Sequence, residues 1–275
     1  MASGSSGNAA VLATAKTKIL VDAGISKRET LRRMHAIGET PEGIRSILVS
    51  HEHTDHVAGL AQLAEEWKAT VYITEATYTG LQRSAGVQPI RGEPGLLAGL
   101  KSSATGRCEL PRVEYFRAGH RFSIGDIEIH PFSIPHDALD PVAFAFRAAG
   151  LKAGIVTDLG YLPGMVKQHV RECDCLVLES NHDLDMLKVG PYPWFLKQRL
   201  MSRLGHLSNH SVAEFLAEDF DGFGRHLVLA HLSENNNHPE IARMTALEAL
   251  ERRGQAFAGE LSVAPRRTPL ATIQL

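Results

Sequence analysis

The stretch His51-Glu52-His53-Thr54-Asp55-His56 sets four metal-competent side chains within six positions, directly after the apolar run Ile44-Arg45-Ser46-Ile47-Leu48-Val49. That run reads as a strand, so any fold this chain adopts must deliver the cluster at a strand end. Three imidazoles and a carboxylate are costly to desolvate together unless a cation pairs with them. A divalent ion meets that need. Imidazole mixed with carboxylate suits Zn²⁺, Mn²⁺ or Fe²⁺, and too few thiolates lie close by for a closed structural zinc site. A solvated His-rich turn is the plainer alternative, and the density of ligands speaks against it.

Short strand-like runs alternate with amphipathic helices along the rest of the chain, an α/β pattern. Val11-Leu12-Ala13-Thr14 and Lys18-Ile19-Leu20-Val21 read as a hairpin, Ser26 as the N-cap of a helix through Leu31 and Met34, and His56 to Trp67 as one helix. Arg83 to Pro111, rich in Gly, Ser and Pro, reads as a long surface loop or insertion. Further strands are expected at Phe122-Ser123-Ile124, Ile127 to Phe132, Ala143 to Phe146 and Lys152 to Val156.

Strand-like runs also precede His136, Asp158 and His231. Singly, each is a capped turn residue or a satisfied core side chain; joined to the first cluster at one sheet edge, they make seven candidate ligands. The seven divide between two ions. One takes His51, His53 and His136, the other Asp55, His56 and His231, with Asp158 bridging. Two ions about 3.5–4 Å apart acidify a water between them and clamp the attacking and leaving oxygens of a displacement, which is hydrolytic chemistry.

With 275 residues, 44% of them hydrophobic, the chain suits one large core, and residues 1–275 are expected to form a single domain. No apolar run reaches membrane-spanning length and the N-terminus lacks signal-peptide character, so the expected location is the cytoplasm, away from membranes. Cys108, Cys173 and Cys175 cannot build a disulfide framework, and Cys173 and Cys175 read as core. A formal net charge of −2 excludes nucleic-acid binding through overall charge and leaves room for a local basic patch.

The ligand pattern, His51-x-His53-x-Asp55-His56 with separate His136, Asp158 and His231, resembles the metallo-β-lactamase superfamily, whose fold is a four-layer αββα sandwich. Nearly the whole chain is similar to the YycJ (WalJ)-like branch. Ser3-Gly4-Ser5-Ser6-Gly7-Asn8, Val21-Asp22-Ala23-Gly24, Leu178-Glu179-Ser180-Asn181-His182-Asp183, Gly190-Pro191-Tyr192-Pro193, Gly205-His206-Leu207-Ser208-Asn209 and His231-Leu232-Ser233-Glu234-Asn235-Asn236 carry that similarity. The resemblance implies a metal-dependent phosphodiesterase, specifically a DNA exonuclease, with DNA as its partner. Relatives usually have a short apolar strand before the Ser3–Asn8 loop, where this chain has Met1-Ala2; Asn8-Ala9-Ala10-Val11 continues into a strand, so the loop reads as native rather than as an expression scar.

Asp55 is expected to hold the second ion and orient the attacking water. Ser208 or Asn209 can cap the helix Val212 to Glu218, whose N-terminus would seat a phosphate, with His206 beside it as hydrogen-bond donor or general acid. Ser5, Ser6 and Asn8 offer a second set of substrate contacts, and Asn235 is expected near substrate or holding the loop after His231. Glu179 and His182 read as supports rather than ligands. The stretch Lys188 to Arg203 mixes bases with aromatics: either a nucleic-acid track through Lys188, Lys197, Arg199, Arg203, Tyr192 and Trp194, or an amphipathic helix. Two other functions compete with a nuclease. One is a hydrolase of small cyclic phosphodiesters, thioesters or lactones; the other is a metal-binding module without turnover, which Asp55 disfavours because it supplies a second ion.

Overall fold

The computed structural model describes residues 2–4, 6–85, 109–254 and 257–275. In chain order, β1 (Ala10–Ala13) and β2 (Lys18–Val21) form the expected antiparallel hairpin, and Thr14 closes its turn by accepting the Lys16 and Thr17 amides on Oγ1. Helix α1 (Lys27–Ala36) starts at Ser26, whose hydroxyl accepts the Glu29 amide, and leads to β3 (Ile44–Leu48).

The single helix expected from His56 to Trp67 is instead two. Helix α2 (Thr54–Val57) is one turn carrying Asp55 and His56, and α3 (Leu60–Trp67) follows. Gly59 divides them because its amide donates to Ala23 O and a Cβ there would stand 2.2 Å from Ile25 O. Close approach to the β2 end, rather than periodicity, decides where the helix breaks.

Strand β4 (Thr70–Ile73), helix α4 (Glu75–Ala85) and strand β5 (Val113–Tyr115) complete a five-stranded sheet in the order β1-β2-β3-β4-β5. Arg83, expected to open a loop, belongs to α4. Most of that expected loop, with Cys108, lies outside the described residues, as does Ser5.

The second sheet begins with an antiparallel meander, β6 (Phe122–Ile124), β7 (Ile127–Ser133), β8 (Val142–Ala148) and β9 (Leu151–Val156). After α5 (Gly164–His169), β10 (Cys175–Glu179) pairs parallel to β9. Helices α6 (Leu184–Val189), α7 (Trp194–Leu200) and α8 (Asn209–Glu218) precede β11 (His226–Ala230), and α9 (Pro239–Arg252) precedes β12 (Glu260–Val263). The order is β12-β11-β10-β9-β8-β7-β6.

Three apolar clusters define four layers. Ile19, Val21, Leu48, Ile129, Phe144 and Phe146 fill the space between the sheets. Met34, Leu60, Leu63 and Trp67 seal α1 and α3 onto the first sheet, while Val166, Val212, Leu216, Ala246 and Leu250 seal α5, α8 and α9 onto the second. This is the αββα sandwich. Cys173 and Cys175 are buried free thiols, and burial pushes them up to about 12 and about 11, as inert core groups. Among the described residues, no helix is long and apolar enough to cross a membrane.

Candidate metal centre

Parallel pairing of β2 with β3, and of β10 with β9 and β11, aims several strand C-termini at one edge, where the sheet ends and side chains can converge. Asp22 follows β2, His51 follows β3, Asp158 follows β9, Glu179 ends β10 and His231 follows β11. His136 arrives from the loop after β7, and the Val142 amide donates to Ser50 O to tie the two sheets together there.

The donor atoms fall into three groups, each with ligand atoms within 4.8 Å of one another: His51, His53 and His136; Asp55, His56, Asp158 and His231; and, sharing Asp158 and His231 with the second, Asp158, Glu179, His206 and His231. His136 Nε2 lies 3.2 Å from His53 Nδ1, while Asp158 stands 3.2 Å from His56 Nε2 through Oδ2 and 3.5 Å from His231 Nε2 through Oδ1. All seven residues expected from the sequence lie along this edge, with Asp158 grouped beside Asp55, His56 and His231 rather than with His51, His53 and His136.

The rings are oriented by the groups behind them. His56 Nδ1 donates to Asp22 Oδ2 at 2.8 Å, and Asp22 also accepts the Ser50 amide and hydroxyl. With its hydrogen committed to Asp22, Ser50 Oγ accepts His51 Nδ1 at 3.0 Å. His136 Nδ1 donates to Gly205 O, and His231 Nδ1 donates to Glu179 Oε1 at 2.8 Å. Each hydrogen bond places a proton on Nδ1 and turns Nε2 inward, where it is a lone pair whenever the ring is neutral. His51 Nε2, His231 Nε2 and Asp158 Oδ2 are consequently buried without a hydrogen-bond partner. Buried polar atoms rarely lack partners, and these converge, so the donor set fits divalent ions.

Charge points the same way. Burial lowers the proton affinity of His56 and His231, but the carboxylates around them outweigh it and hold both well above the ordinary imidazole range. Burial opposes ionisation of Asp158, yet His231 and His56 keep it well below the usual carboxylate range. His51, facing other imidazoles as well as burial, is held neutral. The carboxylates call for positive charge, which protons supply when no ion does.

Glu179 is fully buried and its two oxygens accept four donors: His231 and His206 on Oε1, the Leu159 and Leu207 amides on Oε2. Despite burial, His206 and His231 hold its carboxyl down to about 2. His206 is in turn raised by Glu179 against burial, and its ring centroid lies 5.2 Å from both His136 and His231. It stands at the edge of the cluster with its Nε2 uncommitted.

The proposed substrate contacts fare differently. Ser208 is the cap of α8, accepting the Ser211 amide, whereas Asn209 is not: its side chain is buried between Ser180 and Asn237, with no group spare for a substrate. Ser6 is exposed, but Asn8 is buried and its amide nitrogen lies 2.9 Å from His56 Nε2 and 3.2 Å from Asp55 Oδ2, so it braces the cluster. Exposed Asn235 donates to Tyr192 Oη. His182 is buried with neither ring nitrogen partnered, and burial pushes it down to about 4.

Of the basic track only Lys197 is buried, and the exposed Lys188, Arg199 and Arg203 each have a partner within the chain. Lys197 is buried and donates to Lys188 O, Lys188 pairs with Asp185, Arg199 pairs with Asp137 and Arg203 lies over the Tyr161 ring. Helix α7 exposes two aromatics, Trp194 at 61% and Phe195 at 72%, beside Gln198 and Arg199.

Asp22, Ser50 and Ser3 escaped sequence reasoning as site residues; Ser3 Oγ accepts the His231 amide at 2.6 Å. Their signal was available for Asp22 and Ser50, which end strand-like runs just as the candidate ligands do.

Residues 17–232 match the beta-lactamase superfamily domain. The chain is 34% identical over 254 residues to a Bacillus anthracis protein named exodeoxyribonuclease YycJ, covering 92% of this chain and 89% of that one. It is 34% identical over 250 residues to exodeoxyribonuclease WalJ of Streptococcus pneumoniae serotype 2, covering 91% and 86%. The metallo-β-lactamase fold protein YhfI from Bacillus subtilis superposes with a TM-score of 0.67 over 96% of this chain and 94% of that one, at 17% identity, which speaks to the fold alone. The chain belongs to the metallo-β-lactamase superfamily, within the branch that holds YycJ and WalJ.

Proposed function

We propose that this chain is a metal-dependent hydrolase of nucleic-acid phosphodiesters, a DNA exonuclease foremost, acting in the cytoplasm as one domain with two divalent ions, Zn²⁺, Mn²⁺ or Fe²⁺. The observation that carries it is the convergence of buried, unpartnered His51 Nε2, His231 Nε2 and Asp158 Oδ2 beside Asp55, joined to the activity named for two relatives that span most of the chain. His51, His53 and His136 would hold one ion, Asp55, His56 and His231 the other, and Asp158 both. Bound there, such ions supply Lewis acidity toward phosphoryl oxygens and a water acidic enough to attack near neutral pH.

The chain's own residues do the rest. Asp22, Ser50, Glu179 and the Gly205 carbonyl engage Nδ1 of four imidazoles, so each presents Nε2 to the cluster without turning its ring. His206, whose proton Glu179 helps to hold against burial, is the group to protonate the departing oxygen of the cleaved strand. The amide end of α8 beside it favours the negative charge of a phosphate.

Stripped protein with Mn²⁺ or Zn²⁺ added back, given 5′- and 3′-labelled single- and double-stranded DNA and RNA, is the test. Catalytic efficiency on DNA ends should exceed that on a small cyclic phosphodiester and on a glutathione thioester. The burial of Lys197, and the partners that the exposed Lys188, Arg199 and Arg203 already have within the chain, favour a second reading, a small-molecule hydrolase of the same site. Far more efficient turnover of either small substrate would put that reading first.

A further inference from the structure

The helix-covered face of the seven-stranded sheet opens into a cleft of about 520 Å³ whose charged lining is Arg121, Glu128, Arg147, Lys152, Arg171 and Glu172. Glu128, Arg147 and Lys152 stand directly opposite one another on β7, β8 and β9. Lys152 precedes Asp158 by six residues along β9, which puts the cleft about 20 Å from the candidate metal centre.

Positive charge here is in excess and largely unanswered. Glu128 meets Arg121 at 3.4 Å, leaving Glu172 as the one other lining carboxylate. Among the described residues, neither Arg147 nor Arg171 has a side-chain hydrogen bond or ion pair. Lys152 is only 8% exposed, yet its Nζ meets a single acceptor, the Arg171 carbonyl at 2.5 Å, and no carboxylate within 4.0 Å. An ammonium has three donors, and this one has a lone neutral acceptor, with Glu172 and Asp221 acting on it only from beyond ion-pair distance.

Beside these cations, His130 and His169 pack edge to face with centroids 4.6 Å apart, and His169 stacks on Phe132. Burial first, and the neighbouring cations after it, hold both imidazoles below their ordinary range. The wall is therefore two neutral rings among cations. The volume lies within the usual range for small-molecule sites.

We propose that this cleft binds the phosphate group of a small phosphorylated ligand, at a site separate from the metal centre. Arg147 and Arg171 would engage phosphate oxygens through their planar forks, with Lys152 as a point charge at the floor. The site does not depend on the reaction proposed above.

Ring resonances of His130 and His169 in the full-length, metal-loaded protein report on this cleft without interference from phosphate bound at the metals. Inorganic phosphate, deoxyadenosine 5′-monophosphate and a 5′-phosphorylated oligonucleotide are the probes. Saturable shifts with phosphate or the mononucleotide, and histidine midpoints raised by about one pH unit by the added negative charge, are expected. The double variant Arg147→Gln, Arg171→Gln should weaken binding at least about tenfold, from charged hydrogen bonds lost, and leave hydrolysis at the metal centre unchanged. Equal affinity for phosphate and mononucleotide supports recognition of the phosphate alone; tighter nucleotide binding supports added contacts to sugar or base. No saturable shift at concentrations on the order of 10 mM, shifts unaltered in the double variant, or binding of the oligonucleotide only would overturn the proposal.

Discussion

Asp22→Asn separates the orientation of a candidate ligand from its identity. In the wild-type chain Asp22 Oδ1 accepts the Ser50 amide at 2.8 Å, and Oδ2 accepts both the Ser50 hydroxyl at 2.9 Å and His56 Nδ1 at 2.8 Å. An asparagine must keep its oxygen on the Ser50 amide, which turns its NH₂ toward His56. His56 Nδ1 then has to accept, so the proton moves to Nε2, the nitrogen facing Asp55 and Asp158. A protonated Nε2 cannot ligate. Losing a partner of this kind costs about 10–100-fold in metal affinity, or about 1.4–2.7 kcal/mol. The fold should hold, because the substitution keeps the side chain's size and its hydrogen bond to the Ser50 amide. Titration of stripped protein against a chelating competitor should show the ion at the Asp55, His56, Asp158 and His231 group weakened and the ion at His51, His53 and His136 less so. Wild-type affinity for both ions in a folded Asp22→Asn protein would refute the tautomer argument.

Asp55→Asn should leave the melting temperature nearly unchanged, since the side chain lies in a one-turn helix outside the apolar clusters, yet abolish most hydrolysis; near-normal turnover by the folded variant counts against its role. His206→Ala should lower kcat by about 10²–10⁴ with metal content intact, the range for a lost general acid, and a loss of bound metal instead would make it a support for the site. Metal affinity should rise with pH from neutral upward. His56 and His231 are held above the ordinary imidazole range, and binding must displace their protons, so each proton released contributes up to about tenfold per pH unit; competition titrations at several pH values read this directly, and a flat profile contradicts it.

Spacing made the ligands legible in the sequence, because a ligand must stand at a chemically fixed place relative to a strand end. The groups behind them were harder to see. Asp22 and Ser50 are ordinary strand-terminating residues until β2 and β3 pair in parallel and bring them beside His56. Helical periodicity carried the prediction past Gly59 because Val57 and Leu60 both suit a buried face, while the contact with Ile25 that forces the break is tertiary. Lys197 shows the same limit in reverse. It reads as a surface base in a run of bases and aromatics, and only the packing of α7 against the end of α6 turns its ammonium onto Lys188 O.

Backbone conformation is strained at three positions of the cluster. Asp22, Asp158 and His231 have φ of 57°, 64° and 57°, in the left-handed region that non-glycine residues enter at a cost of about 1–3 kcal/mol each. All three occur just past a strand end and carry side chains of the cluster. Hydrogen bonds on both sides hold the strained geometry: the His231 amide donates to Ser3 Oγ and its carbonyl accepts Asn181 Nδ2, while after Asp158 the Leu159 amide donates to Glu179 and the Gly160 amide to Pro135 O. Gly24 extends the bracing to Asp55, since a Cβ there would stand 1.6 Å from Asp55 O and the Asn8 amide already donates to that carbonyl. A left-handed residue at a strand terminus turns its side chain off the alternating pleat and toward the neighbouring strand's end, which ordinary extended backbone does not allow. Part of the fold's stability is thus committed to aiming donors at a common point.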